Sequence, residues 1–97
     1  MAVEPVTATA SVPTKNGSKY LQQLCKHWSH KLTVAFDADK GTVTFPNAVA
    51  TMTAQPASLL VTIEAPDAET VEAMKGVVAR HLDRFAFREA PLPFDWK

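Results

Sequence analysis

Leu32-Thr33-Val34-Ala35-Phe36-Asp37-Ala38-Asp39-Lys40-Gly41-Thr42-Val43-Thr44-Phe45 is the stretch that decides the fold. Leu32, Val34 and Phe36 alternate with small or polar residues, and so do Val43 and Phe45, which is the period of strands buried on one face only. The segment between them is acidic and ends in Gly41, the composition of a hairpin loop. Two antiparallel strands are therefore predicted over Leu32–Phe36 and Thr42–Phe45. Working outward, Pro46-Asn47 breaks the chain, and Val49–Thr53 forms a weaker strand with Ala50 and Met52 inward. Gln55-Pro56-Ala57-Ser58 turns it again, and Leu59, Val61 and Ile63 define a further inward face, with Thr62 and Glu64 outward. Near the start, Val6-Thr7-Ala8-Thr9-Ala10-Ser11-Val12 alternates strictly, so Val6, Ala8, Ala10 and Val12 face a core.

Two segments carry helical periodicity instead. After the turn Pro13–Gly17, with Ser18 as the expected N-cap, a wheel set at Tyr20 puts Leu21, Leu24, Cys25, Trp28 and Leu32 between about 40° and 140°. This helix is expected to end near His30 or Lys31, where Lys26, His27, His30 and Lys31 complement the helix dipole. The second helix opens at Pro66-Asp67 with Asp67 as N-cap. From Ala68, Val71, Met74, Val78, Leu82 and Phe85 gather at about 240–320°. Gly76 lies off that stripe and costs roughly 1 kcal/mol relative to Ala. The tail Leu92-Pro93-Phe94-Asp95-Trp96 carries aromatics at alternate positions and reads either as a short edge strand or as part of a free tail over 90–97, like residues 1–4.

The order is strand, helix, four strands, helix, within a single α+β domain over 1–97. An antiparallel sheet with two helices packed on one face buries every one of these apolar surfaces. The order is similar to that of the TATA-box-binding-protein-like α+β class, an analogy of fold that carries nothing about DNA.

Composition narrows the function. Ten basic and ten acidic residues give a formal net charge of zero, so no global field draws the chain to nucleic acid or an anionic membrane. Hydrophobic residues make up 46% of the chain, enough for one core and too many for a disordered segment. The single cysteine, Cys25, cannot pair within the chain. No apolar run is long enough to span a membrane, and Met1-Ala2-Val3-Glu4-Pro5 has no secretory character, so a cytoplasmic location is expected.

Chemistry-bearing residues fall into three groups. Cys25 and His27 are two apart on a helix and point about 200° from each other, so they cannot grip one ion, and Cys25 reads as a small buried hydrophobe. His27 and His30 share a side of the first helix, but a metal would need further ligands, and no metal site is assigned. His27 and His81 are displaced in the same rotational sense from their helices' stripes. Antiparallel helices could bring those flanks into one seam; parallel helices could not. The bland alternative makes His27 and His30 dipole partners and His81 a flank histidine with a backbone bond. Third, Val77, His81, Arg84 and Arg88 fall on one ridge of the second helix, and two arginines beside a histidine suit a carboxylate or phosphate. The alternative is a solvated face with Arg84 and Arg88 paired to Asp83, Glu89 or Asp95. No nucleophile elbow and no phosphate-binding glycine loop occurs.

Two segments, Tyr20-Leu21-Gln22-Gln23-Leu24-Cys25-Lys26-His27-Trp28-Ser29-His30-Lys31 and His81-Leu82-Asp83-Arg84-Phe85-Ala86-Phe87-Arg88-Glu89, together resemble the bacterial domain-of-unknown-function family 2218. The intervening strands and Glu64-Ala65-Pro66-Asp67-Ala68 are similar as well. The resemblance implies a stand-alone bacterial protein with no established activity, some of whose relatives are encoded near iron or siderophore uptake functions. It carries over no catalytic residue and no cofactor, but it places emphasis on His27, Trp28, His30, His81, Arg84, Phe85 and Arg88.

The expected function is a non-enzymatic binding module for a small anionic or metal-linked ligand, with His27, His81, Arg84 and Arg88 as ligand-binding residues. One alternative is self-association through a sheet face rich in Thr, Ser and small residues. The other is an enzyme with a histidine general acid or base.

Overall fold

The computed structural model describes residues 5–90 and 92–97; residues 1–4, expected as a tail, lie outside them. Five strands and two helices follow one another as β1 (Val6–Pro13), α1 (Gly17–Trp28), β2 (Thr33–Phe36), β3 (Lys40–Phe45), β4 (Ala48–Ala54), β5 (Ser58–Ala65) and α2 (Ala68–Phe85). The sheet is antiparallel throughout, with spatial order β1-β5-β4-β3-β2. Strands β2 to β5 form a meander, and β1 closes on the far side of β5.

The register explains the alternation seen in the sequence. Ala8, Ile63, Ala50, Val43 and Val34 lie side by side across all five strands and point to the helices. The neighbouring row runs Thr9, Thr62, Thr51, Thr42 and Ala35 and points away. A one-residue slip would exchange these rows, placing threonine hydroxyls in the core, so the hydrophobic pattern fixes the pairing. Both helices cover the inner row. α1 lies over β2, β3 and β4, and α2 lies over β5 and β1. The core they close includes Leu21, Leu24, Met52, Leu59, Ile63 and Leu82, all without solvent contact.

Two glycines let α1 approach the sheet. A Cβ on Gly41 would lie 2.6 Å from the Cys25 sulfur, and one on Gly17 would lie 3.2 Å from the Ser58 carbonyl oxygen. Both positions are buried, so the close approach of backbone and helix, rather than an unusual dihedral angle, demands the missing side chain.

Helix ends depart from the sequence expectation at α1 and agree at α2. Ser18 is not the N-cap: the helix starts at Gly17 after Asn16, which makes no side-chain cap bond. The Ser18 hydroxyl donates instead to the Ala38 carbonyl, at 2.5 Å, tying the helix to the β2–β3 turn. α1 also stops at Trp28, short of His30. The Lys31 and Leu32 N–H groups both turn back onto the Trp28 carbonyl (3.0 and 2.9 Å), which swings the chain into β2. At α2, Asp67 caps as expected, accepting from the Thr70 N–H at 2.7 Å. That bond, with the Thr70 hydroxyl, holds the Asp67 carboxyl below the usual range. α2 ends at Phe85, which is why Phe87, three-quarters exposed at 72%, escapes the core.

The chain's end makes a single bridge, Ala10 to Trp96. The Thr9 N–H donates to the Lys97 carbonyl (3.0 Å) and the Lys97 N–H to the Thr9 carbonyl (2.8 Å), which satisfies the middle of the outer edge of β1. The Phe94 and Trp96 rings stack, 5.6 Å between centroids.

Candidate functional site

α1 and α2 run antiparallel where they touch. Tyr20 near the start of α1 reaches Glu89 just past α2, while His27 near the end of α1 meets His81 and Phe85. The antiparallel condition set by the sequence therefore holds, and the two histidine flanks share one seam. The His27 and His81 ring centroids are 5.8 Å apart, and His27 lies edge-on to Phe85 at the same distance. Trp28 forms the floor, with its centroid 5.0 Å from His81 and 5.1 Å from Phe45 on β3. Trp28 is only 6% exposed, whereas His27 stands in solvent and His81 is half-buried between them.

His81 is oriented by its own helix. Its Nδ1 lies 2.6 Å from the Val77 carbonyl oxygen. A carbonyl can only accept, so Nδ1 carries the proton, and Nε2 is the nitrogen left to face a ligand. The backbone bond of the bland reading is thus present, and it leaves half of the imidazole uncommitted. Arg84 is exposed one turn further along α2.

Arg88 is placed differently from its sequence position. α2 has ended by then, so Arg88 no longer continues the ridge of His81 and Arg84; its guanidinium lies over the Phe87 ring, 5.8 Å from the centroid. His30 also falls beyond its helix and is exposed. The acids proposed to neutralise Arg84 and Arg88 are engaged elsewhere. Asp83 accepts from the Leu92 N–H at 2.9 Å, Asp95 lies 3.8 Å from Lys97, and Glu89 belongs to a separate cluster. Among the described residues, Arg84 and Arg88 form no ion pair. No group of three or more His, Cys, Asp or Glu side chains suited to a metal ion occurs among them either.

The Glu89 cluster escaped the sequence reading. Its carboxylate accepts from the Thr14 hydroxyl (3.0 and 3.1 Å), from the Asn16 side-chain amide (3.2 Å) and from the Tyr20 hydroxyl. The Tyr20 bond, with those from Asn16 and Thr14, holds the Glu89 carboxyl below its ordinary range. The same bond, together with burial of the ring and the carboxylate charge, raises the Tyr20 phenol. Glu89 thus ties the segment after α2 to the start of α1. Cys25 sits inside the core, and burial alone pushes its thiol up to about 11, as expected of an inert thiol.

Helix pair, five-stranded antiparallel sheet and aromatic-floored histidine seam together define a small α+β domain with helices on one sheet face. The chain belongs to the family described as "Uncharacterized protein conserved in bacteria (DUF2218)", whose model matches residues 9–97. Among solved structures it is similar to "NMR structure of PA4090 from Pseudomonas aeruginosa", with 32% identity, a TM-score of 0.80 and coverage of 94% of each chain. No curated protein matches it. No described helix is long and apolar enough to cross a membrane.

Proposed function

We propose that this domain is a non-enzymatic binding module that takes a small carboxylate- or phosphate-bearing ligand at the helix seam. The observation that supports this is the pair of imidazoles at 5.8 Å, one of them with its Nδ1 proton already committed to Val77. The imidazolium form of His81 donates through Nε2 to an anionic oxygen while Nδ1 stays on Val77, His27 reaches the same oxygen from the opposite helix, and Arg84, which forms no ion pair among the described residues, supplies a further charge. Arg88, held over Phe87 beyond the helix, contributes at the rim. The Trp28 and Phe85 rings beside the half-buried His81 and the exposed His27 give the seam an apolar wall that favours a ligand with an apolar or planar body. A metal-linked ligand is accommodated only if it brings its own donors, because two imidazoles supply half of a tetrahedral shell.

The test is an imidazole-detected NMR titration with inorganic phosphate, with citrate, and with zinc chloride alone. Saturable shifts of the His27 and His81 Nε2 signals with an anion, lost in Arg84→Gln, are expected. Unmoved imidazoles at millimolar phosphate and citrate would remove the anionic reading. Shifts with zinc alone would transfer the site to metal-linked ligands.

A further inference from the structure

A cavity of about 520 Å³, within the range of small-ligand sites, opens on α1. Lys15, Lys19 and Lys26 line it together with polar side chains, and no acid does. The three lysines are exposed, and among the described residues none of them forms an ion pair. From Lys15 to Lys31 the chain carries four lysines, two histidines and no aspartate or glutamate. A net charge of zero for the whole molecule therefore conceals one positive flank. Glu89 reaches Asn16 at the edge of the cavity, but its oxygens also accept from the Thr14 and Tyr20 hydroxyls.

Gln23 links this cavity to the histidine seam. On α1 it lies one turn from Lys19 and Lys26, and one turn from His27 on the side of α2. It lines the cavity, and its Oε1 is out of contact with solvent and has no hydrogen-bond partner. Gln22 beside it is already committed, donating to the Ser18 hydroxyl at 3.0 Å, and that hydroxyl donates to the Ala38 carbonyl. A buried acceptor without a donor is costly, so a ligand that supplies a hydrogen to Gln23 is stabilised there. At a rise of about 1.5 Å per residue, Gln23 lies about 6 Å from His27 along the helix axis, and Lys19 about 12 Å from it.

We propose that the ligand of the seam is an elongated dianion with a hydroxyl between its two charges, of the class of sugar and polyol bisphosphates. This rests on the seam reading above and extends it. One phosphate sits against His81 Nε2 and His27, the other lies among Lys15, Lys19 and Lys26, and a hydroxyl of the connecting chain donates to Gln23 Oε1. Lysines suit the second phosphate because each is a flexible point charge, and three of them close on the several oxygens of one group without the planar fork that carboxylates match. A ligand with a single anionic group leaves either the imidazoles or the lysines unmatched.

Fructose 6-phosphate and fructose 1,6-bisphosphate, compared on the full chain by calorimetry and by NMR of the imidazoles and side-chain amides, test this. The bisphosphate is expected to bind about tenfold more tightly and to move the His27, His81 and Gln23 signals together. That advantage is expected to disappear in Lys19→Gln/Lys26→Gln and to shrink at high salt, since the lysines are exposed. Gln23→Leu is expected to weaken the bisphosphate several-fold while raising the Tm of the free protein, because an orphaned acceptor is removed. Equal affinities for the two sugars, or an advantage kept in Lys19→Gln/Lys26→Gln, overturn the inference while imidazoles that still respond leave the seam reading in place. Imidazoles unmoved by either sugar overturn both.

Discussion

Replacing Glu89 is the most informative single perturbation, because one carboxylate gathers three separate donors from the β1–α1 turn and α1. In Glu89→Ala the Thr14 and Tyr20 hydroxyls lose their partner, and these residues are only 6% and 5% exposed. A hydrogen bond to a charged group contributes about 1.5–3 kcal/mol where it is buried. Glu89 itself is exposed, and water can replace part of what is lost, so the discounted expectation is about 1–2 kcal/mol in total. For a domain of this length that lowers Tm by roughly 4–16 °C. Thermal and urea denaturation of Glu89→Ala, Tyr20→Phe and the double variant would read it, with a non-zero coupling energy as the signature of direct contact. The pH dependence has a definite sign on both sides. The lowered Glu89 carboxyl contributes stability that is complete above the unfolded value of about 4.3 and is lost as pH falls through the folded one. The raised Tyr20 phenol contributes stability that is complete below about 10 and is lost as pH rises through its folded value. Additive single variants, or a Glu89→Ala protein as stable as the parent with an unchanged acid limb, would refute the assignment of Glu89 as a tether.

Further perturbations follow from the packing. Gly41→Ala drives a methyl to 2.6 Å from the Cys25 sulfur and should cost about 1–3 kcal/mol in urea unfolding, with much of the loss recovered in Gly41→Ala/Cys25→Ala. Leu82→Ala, at a position with no solvent exposure, should cost about 2–5 kcal/mol. Cys25, with its thiol pushed up to about 11, should resist iodoacetamide at mildly alkaline pH in the folded protein and react once urea unfolds it. Removing the α2 cap in Asp67→Ala should lower the denaturation midpoint, with Asp67→Asn or Asp67→Ser retaining most of it.

Local pattern carried most of the fold. The alternation of Val, Ala and Leu with Thr and Ser specified the strands, because a pleated strand with one dry face admits no other spacing. Strand order was not legible: β1 could have joined either edge, and only the fit of Ala8 and Ala10 beside Ile63 and Val61 decides it. Ser18 misled because its hydroxyl has a better partner in Ala38, a contact across the fold that no local rule encodes. The early end of α1 likewise reflects the turn onto the Trp28 carbonyl that delivers Leu32 to the sheet. At the seam, helical angles alone placed His27 and His81 on facing flanks, conditional on helix direction. Arg88 was misplaced on the ridge because α2 stops at Phe85. Glu89 gave no signal at all: its donors, Thr14, Asn16 and Tyr20, lie at the other end of the chain, and a lone glutamate after a helix looks like any solvated charge.

The position of β1 has a consequence for biosynthesis. Among the five strands its partner is β5, with Val6 facing Ala65 and Pro13 facing Ser58, so β1 is made well before the strand it pairs with, the last of the sheet. The meander can zip through successive hairpins as it emerges, whereas joining β1 requires closure of a loop containing α1 and three strands. A nascent chain arrested before β5 would hold Val6, Ala8, Ala10 and Val12 without cover, a window in which a chaperone or a neighbouring polypeptide competes for that ribbon.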